Sequence, residues 1–123
     1  MQKLRYFLFG LTAIILASSF SDHGIHNRKR DRIEILFNAN TGFTELTLIQ
    51  ALCGANGISL SYKTIEYDDN GRLQSIAFRV DCNDGFSGSA STKTLSNTRR
   101  FGFYRDYREN VKSPFGTGVI MKD

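Results

Sequence analysis

Tryptophan is absent from this 123-residue chain, proline occurs once, at Pro114, and histidine and cysteine occur twice each. Each scarcity removes a class of chemistry. The histidines, His23 and His26, stand in a polar stretch broken by Gly24 and far along the chain from Cys53 and Cys82. A zinc site needs three or four ligands, and no such set assembles from them. A Ser/His/Asp or Cys/His nucleophile system would have to be built from the same loose stretch. Ser87-Gly88-Ser89 lacks the Gly-Lys-Ser/Thr ending and the following helix of a phosphate loop. Asp68-Asp69-Asn70-Gly71 opens like a calcium loop but has no bidentate Glu at its far end, so a turn explains it better. Internal repeats, coiled-coil heptads and low-complexity tracts are also missing. We expect no catalytic set, no metal and no cofactor.

Long apolar runs are missing too. The longest, over residues 6–17, falls short of the ~20 residues that cross a bilayer as a helix. Lys3 and Arg5 precede it and Ser18-Ser19-Phe20-Ser21 follow, which is the pattern of a bacterial secretory signal. Residues 1–21 are therefore expected to be a signal peptide cut after Ser19 or after Ser21. The expected destination is periplasmic or extracellular, with membrane attachment only through an uncleaved signal. Removing Lys3 and Arg5 reduces 16 basic side chains to 14 against 12 acidic ones, so a nucleic-acid partner is not expected. Arg28-Lys29-Arg30 belongs to a polar, basic lead-in over residues 22–31, read as solvated chain.

Beyond the lead-in the periodicity is informative. Ile33, Ile35 and Phe37 alternate as a half-buried strand, and from Phe43 the spacing of Leu46, Ile49, Leu52 and Cys53 turns helical. Asn40 or Thr41 is the expected N-cap. Ile58, Leu60 and Tyr62 alternate in one phase and Ile65 and Tyr67 in the other, which predicts a bulge near Lys63-Thr64. Asn70-Gly71 predicts a type I′ hairpin. Ile76, Phe78, Val80 and Cys82 form the next strand, Asn83-Asp84-Gly85 a turn, and Phe86 to Ser91 a strand of small residues. Phe101, Phe103, Tyr104 and Tyr107 make the densest aromatic segment, either a fifth strand or a loop across the sheet.

The expected fold is α+β, with one helix packed on a three- to five-stranded, mainly antiparallel sheet in the order β-α-β-β-β. If the first two strands are parallel in one sheet, a right-handed crossover joins them. The domain is placed at residues 32–110, followed by an irregular tail over 111–123. Helix and third strand end at the same pole with their cysteines facing inward. That predicts a Cys53–Cys82 disulfide, worth roughly 3 to 4 kcal/mol for a loop of about 30 residues. The alternative is two buried thiols acting as small hydrophobes.

The candidate binding residues are Arg99, Arg100, Tyr104, Arg105, Tyr107 and Arg108, since aromatic and arginine side chains recur in recognition surfaces. Phe101 and Phe103 in the same segment serve equally well as core.

The hairpin from Ile65 to Phe78 with its Asn70-Gly71 turn, followed by Gly85-Phe86-Ser87-Gly88-Ser89, resembles a small β-α-β-β module of exported Bacteroidota proteins. The same module occurs at the extracytoplasmic ends of antibiotic-sensor-type membrane metallopeptidases. The likeness spans roughly residues 31–91. It implies an accessory sensing or protein-contact role; peptidase activity does not carry over, because the chain has no His-Glu-x-x-His sequence. The expected function is a non-enzymatic exported domain that contacts another envelope or exported protein. Two other classes stay open: a carboxylate-based hydrolase of cell-wall or glycan material, and an inhibitor or pro-domain-like partner of an exported peptidase.

Overall fold

The computed structural model describes residues 31–122. The expected signal and all but the last residue of the lead-in lie outside the described residues. Six strands and one helix follow: β1 (Arg32–Phe37), α1 (Phe43–Ala55), β2 (Ser59–Tyr67), β3 (Leu73–Asp81), β4 (Ser87–Thr92), β5 (Phe101–Asp106) and β6 (Phe115–Val119). The fold is α+β and mainly sheet. Among the described residues no helix is long and apolar enough to cross a membrane.

The strands form two antiparallel sheets of three. β2-β3-β4 is a meander; β1-β5-β6 is a composite of three separate segments. The conditional crossover is thereby corrected, because β1 and β2 do not share a sheet. The edge of β2 is taken by the helix instead: Gln50 Nε2 donates to the Leu60 carbonyl at 2.7 Å and the Tyr62 hydroxyl to the Leu46 carbonyl at 2.6 Å. β1 finds its partner in the aromatic segment, pairing Phe37 with Phe101 and Ile35 with Phe103.

Alternation turns one face of each sheet inward, and their aromatic rings join the two. The Phe78 ring, from the meander, lies 5.4 Å from Phe37, 5.9 Å from Phe101 and 5.8 Å from Phe103, all in the composite sheet. Leu46, Ile49 and Cys53 bring the helix into the same core. Phe43 does not join this stripe; it is 63% exposed. Gly42, not Asn40 or Thr41, is the N-cap, and the Glu45 carboxylate accepts its backbone N–H at 3.4 Å. Thr41 is buried instead, its hydroxyl accepting the Asn38 N–H and its carbonyl the Tyr67 hydroxyl.

The bulge falls where expected, between Tyr62 and Thr64. The following turn differs in type. A type I′ turn requires both Asn70 and Gly71 to be left-handed, yet only Gly71 is, with φ 78°. The Gly71 N–H bonds to the Asp68 carbonyl, and the Asp68 carboxylate accepts the N–H groups of Asn70 and Arg72. Side-chain bonding to this aspartate thus favours a longer loop.

Residues 115–119, expected to be irregular, form β6. Phe115, Thr117 and Val119 are strand-forming side chains in alternation, and the glycines between them let a neighbour lie across the strand: a Cβ on Gly116 would come within 2.6 Å of the Tyr104 ring. β6 also meets β4, where the Thr117 hydroxyl donates to the Ser89 carbonyl, and Phe115 packs on Phe86, the residue before β4, at 5.9 Å.

The expected disulfide is corrected as well, since both thiols are free and buried. They do reach the same core. Burial pushes Cys53 up to about 12, helped by Cys82, and burial pushes Cys82 up to about 11, helped by Asp84. Held neutral, they behave as small apolar side chains.

Candidate functional site

The strand register that buries Phe101 and Phe103 sends their neighbours to the opposite, outer face of the composite sheet. There Arg32 stands across from Asp106, Glu34 from Tyr104, and Tyr104 from Gly116. Side chains on this face are tied to one another. Arg32 bonds Glu34 at 2.8 Å and Asp106 at 3.3 Å, while its guanidinium lies 4.1 Å above the Tyr104 ring. Arg100 holds the other Glu34 oxygen. Arg108 grips Asp106 through Nε at 2.9 Å and Nη2 at 2.6 Å, and its backbone N–H adds a third bond.

Asp106 is only 3% exposed, an unusual position for a carboxylate. Hydrogen bonding from Arg108, opposed by some desolvation and reinforced by Arg32, holds its carboxyl well below the usual range. It is a fixed negative pin that sets the planes of two guanidinium groups.

The six residues singled out from the sequence separate by strand phase. Arg100, Tyr104 and Arg108 reach the outer-face network. Arg105 points the other way, sitting 4.4 Å over Phe86 and 4.6 Å over Tyr107 while bonding the Asp84 carboxylate and the carbonyls of Asp106 and Pro114. It clamps β5 to the β3–β4 turn and to the loop before β6. Tyr107 stacks in that clamp, and its N–H bonds the Asp31 carbonyl. Arg99 is exposed on the loop before β5, where its N–H bonds the Ser96 hydroxyl.

Beside this network lies a cavity of about 520 Å³. Its lining includes Arg32, Asp106, Arg108, Lys112 and the Tyr104–Ser113 hydroxyl pair, 2.6 Å apart. The lining also includes Val111, Val119, Ile120 and Met121, with Val119 51% and Met121 78% exposed. Three cationic side chains share the lining with one carboxylate, and Glu34, outside the lining, also pairs with Arg32. Sequence reading missed Arg32, the first residue of the expected domain, and Lys112, Val119 and Met121, assigned to the tail. The alternation of Tyr104 and Asp106 against Phe103 and Arg105 was the signal that could have found the outer face.

A carboxylate general acid needs a raised pKa to hold its proton at neutral pH. Asp106 is shifted the opposite way. Among the described residues the carboxyl pushed up is Glu45, by burial, and it is not part of the cavity lining. The arrangement is suited to holding an anion rather than to proton transfer. Comparison with protein-family models, with curated proteins and with solved structures gave no match to this chain.

Proposed function

We propose that this chain is a non-enzymatic exported binding module that engages another envelope or exported protein, or an envelope component, through the outer face of the β1-β5-β6 sheet. The observation that supports this reading is the cavity beside Tyr104, where Arg32, Arg108 and Lys112 outnumber Asp106 and the Glu34 that pairs with Arg32, and whose lining includes exposed Val119 and Met121. Exposed apolar side chains beside a surplus of one charge suit recognition. The hydrolase alternative gains nothing from Asp106, whose carboxylate is committed to Arg32 and Arg108.

The test is capture of partners by the exported protein under mild cross-linking. Lys112→Glu combined with Met121→Glu alters two exposed positions of the cavity, and Arg79→Glu alters the exposed face of the other sheet. The double variant should lose the captured species at an unchanged melting temperature, while Arg79→Glu keeps them. Equal retention by both, or loss only with Arg79→Glu, overturns the proposal.

A further inference from the structure

Asparagine followed by glycine occurs twice in the chain, at Asn56-Gly57 and at Asn70-Gly71. Such pairs are chemically labile, because glycine has no β-carbon to shield its backbone nitrogen from the side chain before it. That nitrogen attacks the side-chain amide carbon, ammonia leaves, and water opens the resulting succinimide ring to aspartate or isoaspartate. Water is the only co-reactant. The two pairs share this chemistry, and the fold holds them differently. Asn56 is the half-buried C-cap of α1; its Nδ2 donates to the Leu52 carbonyl at 2.9 Å and its N–H to the Cys53 carbonyl at 2.9 Å. Gly57 is tied on both sides, its N–H to the Gly54 carbonyl at 3.1 Å and its carbonyl to Asn83 Nδ2 at 2.8 Å. Asn70 and Gly71 are both exposed in the loop between β2 and β3. Asp68 holds their N–H groups, at 2.9 Å and 3.0 Å, but among the described residues the Asn70 side chain has no hydrogen-bond partner.

We propose that Asn70 is a site of spontaneous deamidation in the folded protein, and that Asn56, with the same neighbour, is protected by the end of the helix. At Asn70 the side chain is free to swing toward Gly71, and the attack has only to release the Gly71 N–H from the Asp68 carbonyl in a solvated loop. At Asn56 the same swing must first break the bond to Leu52, and Gly57 is anchored through both its N–H and its carbonyl. One net hydrogen bond separates two rates by about fivefold, so Asn70 should convert at least that much faster. The aspartate product sets a third carboxylate beside Asp68 and Asp69; the isoaspartate product also adds a carbon to the main chain of the loop. Both changes fall on the meander, so the inference stands apart from the binding reading of the composite sheet.

The purified full chain is incubated in mildly alkaline buffer made with ¹⁸O-water, with and without guanidinium chloride, then digested under acid and mapped by mass spectrometry. In the folded protein, position 70 should gain a carboxylate carrying ¹⁸O while position 56 keeps its amide. In denaturant, where the Leu52 bond is gone, the two positions should convert at comparable rates. Asn70→Gln, whose longer side chain closes a ring more slowly, should hold its native mass over the period in which the parent shifts. Conversion of Asn56 as fast as Asn70 in the folded chain, in the parent or in the Asn70→Gln variant, overturns the proposal. Conversion at neither position in the folded chain, with both reacting in denaturant, also overturns it, since the loop would then hold Gly71 out of reach. A lead of Asn70 that persists unchanged in denaturant would trace to flanking residues rather than to the fold, and the assigned protection of Asn56 would fall.

Discussion

The two sheets have the same number of strands and share one core, but they are assembled and finished differently. The meander draws its strands from one continuous stretch, Ser59 to Thr92, whereas the composite gathers strands starting at Arg32, Phe101 and Phe115. Turns specify the meander pairings locally. The composite must close the long connection from β1 to β5 before those strands can pair, at an entropic cost that grows slowly with length.

Their outer faces differ accordingly. On the meander, Ser61, Arg79 and Ser89 stand side by side, all exposed, with Ser59, Ser87 and Ser91 around them. On the composite, Arg32, Glu34, Arg100, Asp106 and Arg108 are cross-linked, and a cavity opens beside Tyr104. The lesson is that interactions holding distant segments in register also arrange side chains from several segments around one concavity. A plain hairpin sheet needs less fastening: here the Asn83 amide donates to the Ser59 hydroxyl at 3.2 Å, and a second cavity, of about 410 Å³, lies beside Ser61 and Arg79 without a charge network around it.

The contrast can be broken most severely at Gly102, where a Cβ would stand 1.9 Å from the Ile35 carbonyl oxygen. Gly102→Ala should cost more than the few tenths of a kcal/mol expected of an ordinary exposed substitution. Hydrogen exchange should show amides of β1, β5 and β6 losing protection before those of β2 and β3. Uniform loss across both sheets would show that they open as one unit.

Acid is the next largest perturbation. Because Asp106 ionises more readily in the folded chain than in the unfolded one, its stabilising contribution is present above the ordinary carboxylate pKa. It is lost progressively as pH falls below that value. Melting temperatures measured through this range should fall less steeply for Asp106→Asn than for the parent, whereas Arg79→Ala should leave the slope unchanged.

The shared core supplies an alkaline counterpart. Cys53 and Cys82 hold their protons more tightly when folded, so their contribution is intact below the ordinary thiol pKa of ~8.5. It is lost as pH rises toward about 11 to 12. At pH 8 both thiols should resist iodoacetamide in the native protein and react fully in denaturant without a reductant. Failure of either to react after unfolding would indicate a bond between them.

The smallest effect belongs to the meander's outer face. Arg79→Ala should change stability by no more than about 0.5 kcal/mol in a denaturant titration, as expected of a solvated side chain away from a network. A larger loss would mean that this face is fastened after all.

The same division explains what could be read from the sequence. The helix, the bulge beside Lys63 and the meander were legible because their signals lie within a few residues of each other. The composite sheet was not. The partners of Phe101 and Phe103 are Phe37 and Ile35, more than sixty positions earlier, and Gly116 and Gly118 make β6 look like a loop. Arginine and tyrosine marked the right neighbourhood. Strand phase then separated Tyr104 and Asp106 on the outer face from Arg105 on the inner one, and Lys112 and Met121 were out of view in the supposed tail.

The claim that the composite sheet carries the binding face is tested most directly by site-specific photo-cross-linking in cells that express the protein, with p-benzoylphenylalanine placed at Lys112 or at Ser61. The account predicts a discrete adduct from position 112 and none from position 61. Adducts from position 61 alone would contradict it.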